Sequence, residues 1–75
     1  MILEKIKEIF YNDFEIEAED ITPEADIYSD LGLDEIDAYD MVMSVEDTFG
    51  IEFPDEELEK VSTIGDLIKF IENNK

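Results

Sequence analysis

Cysteine, histidine, tryptophan and arginine do not occur in this chain of 75 residues. Without cysteine there is no disulfide, no thiolate metal site and no thiol nucleophile. Without histidine the commonest general base and the commonest metal ligand are gone. Positive charge is scarce: five lysines face 23 acidic residues, for a net charge of −18. Such a field argues against nucleic acid and against anionic membranes as partners, since both would repel it. It favours partners that present basic patches, drawn in by long-range, salt-dependent attraction. The plainer alternative is that the acids only keep a small domain soluble. Long apolar runs are also missing, and nothing approaches the roughly 20 apolar residues of a membrane span. The opening MILEKIKEIF alternates charged and apolar residues, unlike the continuous apolar stretch of a signal peptide. The expected location is the cytoplasm, or an organelle matrix if a presequence has been removed.

What is present is 44% apolar, too rich for a disordered chain despite the charge. The length suits a single domain over residues 1–75. Its core is small, because a chain of this size buries only about 60–65% of its unfolded surface. Ile2, Ile6, Ile9 and Phe10, with Leu3 and Phe14 beside them, recur at helical spacing. They predict a first helix from Ile2 to about Phe14 with one face for a core. Glu15 to Leu33 reads as a long connection, in which Thr22-Pro23 argues against a helix running through. Loops of that length are uncommon unless they pack or function. Ile16, Ile21, Ala25, Ile27 and Leu31 are therefore expected to pin it across the helices, with Gly32 as the turn before the second helix.

Asp34 is a good N-cap for that second helix, and Asp37 stands three residues on, a capping box with Asp in place of Glu. The helix is predicted to run to about Phe49, with Gly50 ending it. Its apolar residues, Ile36, Tyr39, Met41, Val42, Met43, Val45 and Phe49, cover more than one stripe, so Ile36 or Met43 is expected to face something other than the core. Pro54 stops the short apolar link Ile51-Glu52-Phe53, and Asp55 to Lys60 reads as a helix of little more than one turn. Thr63 and Asp66 form a second capping-box pattern for the last helix. Ile64, Leu67, Ile68 and Ile71 give that helix its core face, with Phe70 flanking and Asn73-Asn74-Lys75 as a frayed end. The predicted fold class is all-α, a small four-helix bundle: long helix, long loop, long helix, short helix, helix.

The run Asp30-Leu31-Gly32-Leu33-Asp34-Glu35-Ile36-Asp37 resembles the signature Asp-Leu-Gly-x-Asp-Ser-Leu-(Asp) of the acyl carrier protein family. Val42 to Glu56, through Phe49-Gly50-Ile51-Glu52-Phe53-Pro54-Asp55-Glu56, is similar to that family's second helix and its Ile-x-Ile-Pro-Asp-Glu turn. Lys60-Val61-Ser62-Thr63-Ile64 looks like the opening of its last helix. The resemblance spans almost the whole chain. It implies a carrier of acyl groups, held on a 4′-phosphopantetheine arm esterified to the serine of Asp-Ser-Leu. Residue by residue, Asp34 takes the place of the Asp, Ile36 that of the Leu, and Glu35 that of the serine. A carboxylate offers no hydroxyl to attack coenzyme A, so no prosthetic group is expected on the chain as it stands. The remaining serines, Ser29, Ser44 and Ser62, lie away from the start of the second helix.

Three readings of Glu35 stay open. An acid in the first turn of a helix is favoured by the macrodipole, by about 0.3–1 kcal/mol, and needs no further role. Its fixed charge would also imitate the phosphate of a loaded carrier. Or it is an introduced substitution in an otherwise ordinary carrier. The acids Asp34, Asp37, Asp40, Glu46 and Asp47 match positions where the family carries acidic recognition residues, with Ile36 and Met43 as the apolar centre of the contact; the alternative is a solvated helix face. The resemblance thus implies a monomer that docks on basic patches of biosynthetic or regulatory enzymes. The alternative is a working carrier of fatty acid, lipid or polyketide synthesis whose serine has been substituted. Weak, charge-relieving association of Ca²⁺ or Mg²⁺ is expected without a defined site, there being no EF-hand spacing. No nucleophile or basic partner accompanies the carboxylates, so no enzyme activity is expected. Tyr28, Tyr39, Phe49, Phe53 and Met41 are expected to be packing residues rather than the wall of a ligand cavity.

Overall fold

The computed structural model describes residues 2–75. Four α-helices follow one another: α1 (Ile2–Phe14), α2 (Glu35–Phe49), α3 (Asp55–Leu58) and α4 (Ile64–Asn74). The all-α architecture is the one the periodicity and caps predict. α1 turns Ile6, Ile9 and Phe10 inward, α2 contributes Ala38, Met41, Val42 and Val45, and α4 contributes Ile64, Leu67 and Ile71. These meet in one apolar cluster, and each large aliphatic or aromatic side chain fully buried there stabilises the fold by about 1.5–3 kcal/mol.

The caps form as the sequence leads one to expect. Thr63 accepts a hydrogen bond from Asp66 N–H while Asp66 accepts from Thr63 N–H, closing the box at the head of α4. α2 ends at Gly50, whose φ of 66° and N–H bond to the Glu46 carbonyl make a left-handed cap. α1 ends differently. Glu15 takes φ of 58°, a left-handed backbone in a residue with a side chain, and its N–H bonds to the Tyr11 carbonyl at 2.9 Å.

The long connection is not a plain loop. A 3-10 turn at Ala18–Asp20, which the sequence pattern does not announce, breaks it. Beyond that turn Ile21, Ala25 and Ile27 are buried in the core, as is Leu33, while Ile16 and Leu31 pack against its edge. The backbone fastens it as well. Ile27 N–H donates to the Ser62 carbonyl at 2.8 Å, Ile64 N–H to that of Ala25 at 3.0 Å, and Gly65 N–H to that of Pro23 at 2.9 Å. The first amides of α4, which a helix leaves without internal partners, are thus satisfied by the loop. A Cβ at Gly65 would stand 3.1 Å from the Pro23 oxygen, so glycine permits this close approach.

Two boundaries differ from expectation. α3 stops at Leu58 rather than Lys60, because Lys60 and Val61 N–H groups already bond three residues back, to Glu57 and Leu58. α4 continues through Asn74, whose side-chain amide donates to the Phe70 carbonyl at 2.8 Å; that bond satisfies a carbonyl the expected fraying would have left open.

Candidate functional site

The start of α2 is tied by hydrogen bonds on both sides. Ahead of it, the Asp26 carboxylate accepts from Tyr28 and Ser29 N–H groups, both at 2.9 Å, while Asp26 N–H donates to Asp30 at 2.8 Å. Those bonds, Ser29 first and Tyr28 second, hold the Asp26 carboxyl below its ordinary pKa. Gly32, with φ of 79°, then turns the chain, and Leu33 N–H reaches the Ile27 carbonyl at 3.2 Å. Asp34 is extended and accepts from Asp37 N–H at 2.8 Å; Asp37 accepts in return from Asp34 N–H at a longer 3.4 Å. Glu35 follows as the first residue of the helix, exposed to solvent.

From there α2 has two faces. The inward one is Ala38, Met41, Val42 and Val45. On the outward one Ile36 is 72% exposed and Met43 55%, with Asp40 and Asp47 also exposed. Residues 36, 40, 43 and 47 recur at the three- and four-residue intervals of one helical stripe, so apolar and acidic side chains share it. Asp37 and Glu46 border it half-buried. Among the described residues the only ion pairs are Lys7–Glu4 and Lys60–Glu57, so no lysine neutralises this stripe. Glu46 has a structural bond besides: its Oε2 accepts from Phe53 N–H at 2.8 Å.

Beside Glu35 lies an open groove of about 440 Å³, walled by Tyr28, Glu35, Ala38, Tyr39, Asp55, Leu58 and Glu59. Tyr28 and Tyr39 are both partly exposed there, which corrects the expectation that they only pack. Partial burial, then the charges of Asp26 and Glu35, push the Tyr28 phenol above its ordinary pKa. Their place was hidden because an aromatic residue at a helical or loop position looks the same in sequence whether it meets the core or a groove. Phe49 and Ile51 sit at the edge of the core, and Phe53 and Met41 are buried, as packing residues should be.

The helix head offers no hydroxyl: Asp34, Glu35, Ile36 and Asp37 carry three carboxylates and an alkyl chain. Of the serines, Ser44 lies mid-α2 and bonds Asp13, Ser62 bonds Asp66, and Ser29 belongs to the Asp26 turn. A phosphodiester-linked arm therefore does not fit the residues present at this position. Among the described residues no three acidic side chains converge in a way that could hold a metal ion.

Small helical domains with this topology include a class built to bear a phosphopantetheine arm, and residues 4–71 match the family described as "Phosphopantetheine attachment site". The chain is 39% identical over 74 residues to the acyl carrier proteins of Helicobacter pylori strains G27 and HPAG1, covering 99% of this chain and 95% of each relative. A solved structure of the acyl carrier protein from Enterococcus faecalis, described for its high thermal stability, superposes with a TM-score of 0.82 at 38% identity, covering 99% of this chain and 94% of that one. This protein belongs to the acyl carrier protein family, whose members are carriers and not enzymes.

Proposed function

We propose that this protein is an acyl-carrier-like docking module that bears no phosphopantetheine. Glu35 stands where the family's attachment serine would be, and the first residue of α2 is the observation that carries the reading: it is an exposed carboxylate, and no hydroxyl lies within the helix's first turn. The module docks on basic patches of biosynthetic or regulatory enzymes. Asp34, Asp37, Asp40, Glu46 and Asp47 supply the charge, and Ile36 and Met43 the apolar centre. The uncompensated stripe on α2 supports this, since exposed acids of this kind give individually weak pairs, about 0–1 kcal/mol each, and act mainly by speeding encounter with a cationic surface. Fixed negative charge at Glu35 also presents a partner with a feature of the loaded carrier's phosphate.

Intact-mass measurement after incubation with coenzyme A and a promiscuous phosphopantetheinyl transferase tests both halves. The native chain is expected to gain nothing, and Glu35→Ser to gain the mass of one arm. A gain on the native chain overturns the reading. Failure of Glu35→Ser to load would show that the α2 face no longer engages the transferase, and would count against docking.

A further inference from the structure

We propose that the groove between α1 and the 3-10 turn is a second docking surface, separate from α2, that takes an arginine side chain of a partner protein. The end of α1 builds this groove. Glu15 N–H bonds to the Tyr11 carbonyl and Ile16 N–H to that of Phe10 at 3.2 Å, so the left-handed backbone of Glu15 turns the connection back alongside the helix. Ile16 then packs at the edge of the core, and the 3-10 turn follows at Ala18–Asp20. The open space between has a volume of about 470 Å³, within the range of about 300–1,000 Å³ usual for ligand sites. Glu4, Glu8, Tyr11 and Asn12 wall it on the helix side, Glu17 and Ala18 on the other. All six are exposed, while α1 buries Ile6, Ile9 and Phe10 in the core. No residue of α2 lines this groove.

Tyr11 is 54% exposed and, among the described residues, is the one exposed large apolar side chain that belongs neither to α2 nor to the groove beside Glu35. Carboxylates stand on both walls around its ring: Glu8 lies one helical turn before it, and Glu17 comes from the facing connection. Lys7 also lines the groove, but Glu4 engages its ammonium at 3.8 Å. Glu8 and Glu17 have no ion pair among the described residues. An aromatic face flanked by free carboxylates recognises a planar cation. A guanidinium stacks on the ring and presents paired donors to a carboxylate, which the compact ammonium of lysine does less well. The chain cannot supply that group itself, since it holds no arginine, and its net charge of −18 repels a second copy. Anionic lipid and nucleic acid are repelled in the same way. The complementary occupant is an arginine on the surface of another protein. Because this groove and the α2 stripe share no residue, one basic partner can sit on α1 while another sits on α2.

Amide resonance titrations with hexa-arginine and hexa-lysine peptides, at equal ionic strength, test the groove. The two peptides carry the same charge, so a difference between them reads the ring and the fork rather than the field. In the native chain both are expected to move the amides of Glu8, Tyr11, Asn12 and Glu17, with hexa-arginine reaching its midpoint at about threefold lower concentration. Tyr11→Leu keeps an apolar side chain at an exposed position and removes the ring. It should erase the preference for arginine in the groove and leave the shifts of Asp40 and Asp47 on α2 as they were. Tyr11→Phe keeps the ring and should keep the preference. Movement of Asp40 and Asp47 with unmoved groove amides overturns the α1 surface and leaves the α2 face standing. Groove shifts with unmoved α2 amides uphold the α1 surface and count against docking on α2. Equal midpoints for the two peptides in the groove, or a preference that survives in Tyr11→Leu, overturn the assignment to arginine.

Discussion

Glu15 occupies a position that helices usually give to glycine. Its φ of 58° sets Cβ against the following carbonyl, an arrangement that costs an L-residue about 1–2 kcal/mol, and the cap bond to Tyr11 holds it there. Glu15→Gly is expected to raise stability by about 0.5–1 kcal/mol, less than the full strain because glycine also loses more freedom on folding. Glu15→Gln keeps the strain and removes the charge. Denaturant titration of the two should show the glycine variant clearly the more stable; equal gains would assign the effect to charge instead. Single residues of another kind were legible without a structure. Asp34, Asp37, Thr63, Asp66 and Gly50 act on neighbours within four positions, so their roles are written locally. Gly65 and Glu46 were not legible in this sense, because the atoms they serve, the Pro23 carbonyl and the Phe53 amide, are brought to them by the fold or by the turn after α2.

Among the elements, α4 shows how a cap couples to pH. Asp66 accepts from Ser62 and Thr63 N–H groups and from the Ser62 hydroxyl. These bonds, the Ser62 amide first, hold its carboxyl below the ordinary value. A carboxyl with a depressed folded pKa adds stability that is present above its unfolded pKa, near 3.9, and is lost as pH falls through the folded value. Asp66→Asn is therefore expected to be less stable than the native chain at pH 6, with the difference closing as pH falls through the depressed folded value of Asp66. A gap independent of pH would show that the asparagine merely fits the box worse. The helices themselves were readable, α1 from periodicity alone and α2 and α4 from periodicity and caps that agree. The connection was readable only as a packed loop: its 3-10 turn and its seam with the head of α4 depend on backbone bonds between segments distant in sequence.

For the molecule as a whole, a net charge of −18 with two exposed-face ion pairs among the described residues means that folding compresses like charge. Moderate salt, or millimolar Mg²⁺ or Ca²⁺, should raise the melting temperature by screening that repulsion; for a domain of this size each 1 kcal/mol regained appears as about 4–8 °C. A melting temperature indifferent to all three would show the repulsion to be minor. The family and its helix order were visible in the sequence because they rest on an ordered set of motifs, whereas the groove beside Glu35 was not, since its walls come from the loop, α2 and α3 together. The seam that ties Pro23, Ala25 and Ile27 to Ser62, Ile64 and Gly65 has a consequence for synthesis. A product of translation that stops short of Ser62 lacks the backbone partners of Pro23, Ala25 and Ile27 and the helix that covers them, so it is expected to leave Ile21, Ala25 and Ile27 open to proteases, which the chain that includes α4 does not.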